Sequence, residues 1–155
     1  MKSFIEITTI YIDLPDMIEV RVLANNGQFH GVTELYTHPE ELEALVELIR
    51  GFPSDKSDTR SMEFGNFSLS HVGGGARLNF YCGDSLGHSI VEVTLQTDPV
   101  HRKMQSVHLL IPFVPGDLDN FLQEVEKMSK NVQGSASLIS SFNNTPYDLA
   151  SLQII

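Results

Sequence analysis

Cysteine is almost missing from this chain: its 155 residues contain one, Cys82, so no disulfide can close within it. The fold must hold without covalent staples, as suits a reducing compartment. Long apolar runs are missing too. No segment approaches the ~18 residues that span a bilayer. Met1-Lys2-Ser3-Phe4 leads into alternating sequence, not into the apolar run of a signal peptide; a cytoplasmic location is expected. Basic residues are scarce, with 10 Lys and Arg against 20 Asp and Glu and a net charge of −10. A negative field repels phosphate backbones and anionic lipid, so neither nucleic acid nor membrane is an expected partner, whereas a basic protein would be attracted. The deficit is concentrated at the front, where residues 1–60 carry 11 acids and 5 bases.

Signatures of chemistry are equally sparse. There is no G-x-S-x-G elbow and no calcium-loop spacing. Gly73-Gly74-Gly75 lacks the Walker Lys-Ser/Thr and precedes a strand, so it reads as a turn. The six histidines show no HxH or HxxxH pair, and neither a metal nor a cofactor is predicted. Cys82 alternates in phase with Leu78 and Phe80, which makes it a core thiol. Asp117 and Asp119 open a helix and Glu124 and Glu126 lie on its polar side, as caps and a wet face. Asp84 and His88 are placed to meet across a turn.

What the chain does contain is periodicity. Residues 4–12 and 17–25 read as strands, and Asn26-Gly27 as a hairpin turn of type I′ leading into a strand over 28–36. Thr37 and Glu40 have capping-box spacing, with Pro39 in the first turn. Leu42, Leu45, Val46, Ile49 and Phe52 then form one apolar helical stripe. Strands follow over 61–71, with a bulge expected at Gly65, and over 76–82, 88–97 and 104–114. A second stripe, Leu118, Phe121, Leu122, Val125 and Met128, marks a helix after Pro115. The order β-β-β-α-β-β-β-β-α predicts an α+β fold: one mainly antiparallel sheet of about seven strands with two amphipathic helices packed on it. Three strands and then four each end in a helix, which suggests two related half-units. Residues 1–130 are expected to form a single domain. Gly134-Ser135-Ala136-Ser137 reads as a flexible hinge. The apolar extension over 131–155 is expected to pack on the domain or across a homodimer interface.

A family resemblance can be read from a series of segments. They are Glu19-Val20-Arg21-Val22, Gly27-Gln28-Phe29-His30-Gly31, the helix ending Arg50-Gly51-Phe52-Pro53, Met62-Glu63-Phe64-Gly65-Asn66-Phe67, Leu78-Asn79-Phe80, Asp84-Ser85-Leu86-Gly87-His88, Val91-Glu92-Val93 and Leu118-Asp119-Asn120-Phe121. In this order they resemble the small bacterial domains grouped with WapI-type immunity proteins, over about residues 17–130. The resemblance implies a non-enzymatic domain that neutralises a toxin by binding it. It transfers no binding residues, because the matching positions are turn and core positions.

Two functional expectations follow. The first is a protein-binding surface on the acidic first helix, with Glu40, Glu43 and Glu47 as its candidate residues. The second is a small-ligand or enzyme site at the Asp84–His88 turn.

Overall fold

The computed structural model describes residues 2–13, 15–101 and 103–142. Its elements run β1 (Phe4–Asp13), β2 (Met17–Asn25), β3 (His30–Thr37), α1 (Pro39–Ile49), β4 (Thr59–Gly65), β5 (Gly75–Cys82), β6 (Ser89–Gln96), β7 (Ser106–Phe113), α2 (Pro115–Asn131) and β8 (Ser135–Ile139). The fold is α+β, and among the described residues every strand pairing is antiparallel.

The expected single sheet of about seven strands is corrected. The described residues form two four-stranded sheets, ordered β3-β2-β1-β8 and β4-β5-β6-β7. The orders reveal a β-β-β-α-β unit used twice. β1 to β3 and α1 are followed by β4, and β5 to β7 and α2 are followed by β8. In each unit the strand after the helix leaves its own sheet and pairs with the first strand of the other, β4 on β5 and β8 on β1. The two helices also match internally: Pro39 and Pro115 occupy the first turns, and Leu42 and Leu118 begin the buried stripes three residues later.

Gly134 to Ser137 is therefore no hinge. Ser135, Ala136 and Ser137 belong to β8, with Ala136 opposite Ile7 and Leu138 opposite Ile5. Ala136 and Leu138 are fully buried. A run of small polar residues looks like a linker in sequence, but alternation of Ala136 and Leu138 toward the core suffices for an edge strand. The rest of the tail, 143–155, lies outside the described residues.

Three local expectations also shift. The β2–β3 loop spans Asn26 to Phe29, because Asn25 pairs with His30. The Asn26 side chain accepts the backbone N–H groups of Gln28 and Phe29 at 3.0 and 2.9 Å, which stabilises a longer turn than type I′. The helix N-cap is His38, and the Thr37 hydroxyl donates to the Glu41 carboxylate at 2.6 Å. β4 ends at Gly65 (φ +72°), whose added Cβ would stand 2.4 Å from the Gly74 carbonyl oxygen.

Both sheets and both helices share one core. At one end Phe52, Phe80 and Phe113 pack with ring centroids 6.0 to 6.3 Å apart. The sheets meet along β3. An added Cβ at Gly31 would fall 2.3 Å from Val107 Cγ1 on β7, so only glycine permits that approach. Nearby, the Thr33 hydroxyl donates to the Gln96 carbonyl at 2.7 Å and the Gly74 N–H to the Glu34 carbonyl at 3.0 Å. These bonds cover the edge of β3.

Candidate functional site

The five residues singled out in the sequence fall into two groups that line different concavities. Glu40, Glu43 and Glu47 are exposed along α1. Their spacing of three and four places them on successive turns of one helical face. Glu47 pairs with Arg50 at 3.1 Å, while Glu40 and Glu43 have no cationic partner among the described residues. Glu43 and Glu47 face α2 across a shallow groove that also receives Glu126 and Lys130, which pair with each other at 3.2 Å. α1 lies against α2, and the wet sides of the two helices together present carboxylates in excess of cations.

Asp84 and His88 do meet, as their positions predict. Asp84 Oδ2 lies 2.7 Å from His88 Nδ1, while its Oδ1 accepts the N–H groups of Leu86 and His88 at 2.8 and 3.1 Å. Partial burial opposes the charged form of Asp84. The N–H and ring of His88 and the N–H of Leu86 outweigh it and hold the carboxyl below its ordinary range. Gly87 at φ +87° lets the turn close, and the His88 ring stands edge-on to Phe142 with centroids 5.4 Å apart. A concavity of about 560 Å³ opens beside this turn, bounded by Phe52, Lys56, Cys82, Asp84, Leu86 and Asp119 among others. His88 does not line it. Cys82 is buried, and its thiol donates to the Asp84 carbonyl at 3.2 Å.

The same device recurs in the β6–β7 connection. Asp98 Oδ1 accepts the N–H groups of Val100 and His101 at 2.8 and 3.4 Å, and Oδ2 lies 2.8 Å from His101 Nδ1. Two aspartates that each tie off a turn and hold a histidine three or four residues later point to turn clamping as the common role. The Val100 N–H, then the His101 ring, and lesser bonds from the His101 and Gly73 N–H groups lower Asp98 to about 2. A folded value below the ordinary 3.8 means that stability from Asp98 is whole above pH ~4 and is lost as pH falls toward 2. D98N is expected to lose stability at neutral pH and to show a flatter decline between pH 4 and 2. Urea midpoints measured across that range check this.

No family model, curated protein or solved structure matches this chain. Among the described residues no three His, Cys, Asp or Glu side chains converge as metal ligands, and no helix is long and apolar enough to cross a membrane.

One constellation was missed in the sequence. On the outer face of the first sheet Glu19 stands opposite Tyr36 and Arg21 opposite Glu34. Arg21 holds Glu34 through Nη2 at 2.8 Å and Nε at 3.3 Å. Burial first, then the charge of Glu34 and a hydrogen bond shared with it, push the Glu19 carboxyl up; the Tyr36 hydroxyl and Arg21 offset this in part. The charge of Glu19 leads the causes that raise Tyr36. Asp98 and His101 close this concavity, of about 290 Å³, from the second sheet. The outward alternation of Glu19 and Arg21 was legible, and hairpin register would have added Glu34 and Tyr36. Nothing local linked them to residue 98.

Proposed function

We propose that this chain is a non-enzymatic protein-binding domain of immunity type that takes a basic protein partner on the acidic surface of α1. The observation that carries the reading is the uncompensated charge there: among the described residues Glu40 and Glu43 stand exposed without a cationic partner, on a chain with twice as many acids as bases. Such a field accelerates encounter with a basic partner and fixes its orientation. The resemblance to WapI-type immunity proteins points the same way, toward a toxin as the partner. The rival site at the Asp84–His88 turn gains little, since the histidine does not line the adjoining concavity and the carboxylate is committed to the turn.

The test uses the product of any large toxin-like gene directly upstream, co-expressed with this chain. A complex is expected, with E40K/E43K/E47K slowing association about tenfold at low salt and flattening its salt dependence. Failure to form a complex, or equal rates for wild type and the triple variant, overturns the reading.

A further inference from the structure

The outer face of the first sheet is the most unusual surface of the molecule. Sheet faces exposed to water are ordinarily polar, yet Tyr11, Val32 and Tyr36 stand 60%, 45% and 42% exposed here, and Val100 is 48% exposed in the adjoining turn. Their placement is ordered. Tyr11 and Tyr36 lie opposite Glu19 on its two neighbouring strands, and the Tyr36 hydroxyl bonds its carboxylate. Val32 borders the same concavity as Tyr36.

Among the described residues the charges on this face are unbalanced. Glu19, Glu34 and Asp98 line the concavity, and its arginine, Arg21, is already bound through two nitrogens to Glu34. His101 is committed to Asp98. Among the described residues Glu19 is left with a tyrosine hydroxyl and a neighbouring carboxylate as hydrogen-bond partners, and burial first, then the charge of Glu34, raises its pKa. An incoming cation would relieve it. The site is also stiff: the Asp98 turn is clamped by its own side chain, and Thr97 and Gln105 exchange bonds at 2.9 and 2.8 Å at its base. Little ordering would therefore oppose binding.

We propose that this face is a second docking surface, one that seats an arginine side chain of a basic protein partner with its guanidinium against Glu19 and its stem on Tyr36 and Val32. Arginine fits better than lysine because its planar head can stack on the tyrosine ring while its edge reaches the carboxylate. A second copy of this chain fits poorly, since a net charge of −10 sets copies against one another. The surface is independent of the α1 acids and stands or falls without them.

The experiment titrates the full chain, labelled for amide NMR, with the blocked peptide Gly-Leu-Arg-Leu-Gly at pH 7. Matched peptides carry Lys or Glu in place of Arg. The expected result is saturable shifts at Val32, Glu34, Tyr36 and residues 98–101, weaker with Lys and absent with Glu. Glu19→Gln, which keeps the shape, and Tyr36→Ala should each weaken binding about threefold to fivefold. Tyr36→Phe should retain most of it, which guards against an effect of misfolding. E40K/E43K/E47K should leave it within about twofold, the change that loss of a distant screened field allows. Shifts that do not saturate, that spread over α1 with the rest of the acids, or that persist unchanged in Glu19→Gln and Tyr36→Ala overturn the proposal. None of those outcomes bears on whether α1 engages a toxin.

Discussion

Gly74→Ala should destabilise the fold by about 3 kcal/mol or more, although it adds one methyl group. Overpacking a close-packed site costs about 1–3 kcal/mol, and loss of a buried hydrogen bond adds about 1. An added Cβ would lie 2.0 Å from Thr33 Oγ1, 2.6 Å from the Gln96 carbonyl oxygen and 2.8 Å from that of Glu34. Two of these are backbone atoms of the strands that join the sheets, and Thr33 is held by its own bond to Gln96. No neighbour can yield without opening the seam. Gly116→Ala is the control. Nothing lies within 4 Å of its added Cβ, at the start of α2, so its stability should stay within about 0.5 kcal/mol of wild type. Urea unfolding of the two variants checks both values. Equal midpoints would show that the sheets do not meet at Gly74.

Leu138→Ala should cost about 2–3 kcal/mol while its neighbour Ile139→Ala costs less than about 1. Leu138 is fully buried opposite Ile5, and Ile139 is 49% exposed. The contrast is the signature of a strand with one face in the core. A flexible hinge would give two small and similar effects. The same measurement tests the exchange of strands between the two halves, because Leu138 follows the second helix yet seals the first sheet. If the exchange holds, Leu138→Ala should lower the midpoint of the whole molecule in one transition and not loosen the C-terminal half alone.

Much of the architecture was legible because burial leaves a period in the sequence. Leu42, Leu45, Val46, Ile49 and Phe52 were grouped by spacing, and all five are buried. Leu78, Phe80 and Cys82 were placed on one face of a strand, and they too are buried. The edges were less legible. Gly65 suggested a bulge and instead ends β4, where its positive φ turns the chain and the Asn66 N–H donates to the Gly74 carbonyl at 2.8 Å. β8 was missed because its small residues carry weak strand propensity, and its partner β1 lies more than a hundred residues earlier.

The candidate sites divide in the same manner. Asp84 and His88 are four residues apart, so a turn was enough to bring them together, and their contact was foreseeable. Glu40, Glu43 and Glu47 follow from helical spacing alone. The Glu19–Tyr36 concavity needed a hairpin register and then a second sheet, and each step adds a contact that spacing does not encode.

The chain by itself determined both helices and every described strand but β8, which of their faces are oily, and that the surface carries an acid excess, because each of these depends on neighbours within about a turn or a hairpin. Only the tertiary structure decided that there are two sheets, that the halves trade their last strands, and that Asp98 stands beside Tyr36. Those depend on which apolar faces close over one another, and several pairings satisfy the same local pattern until one of them fills the core without voids.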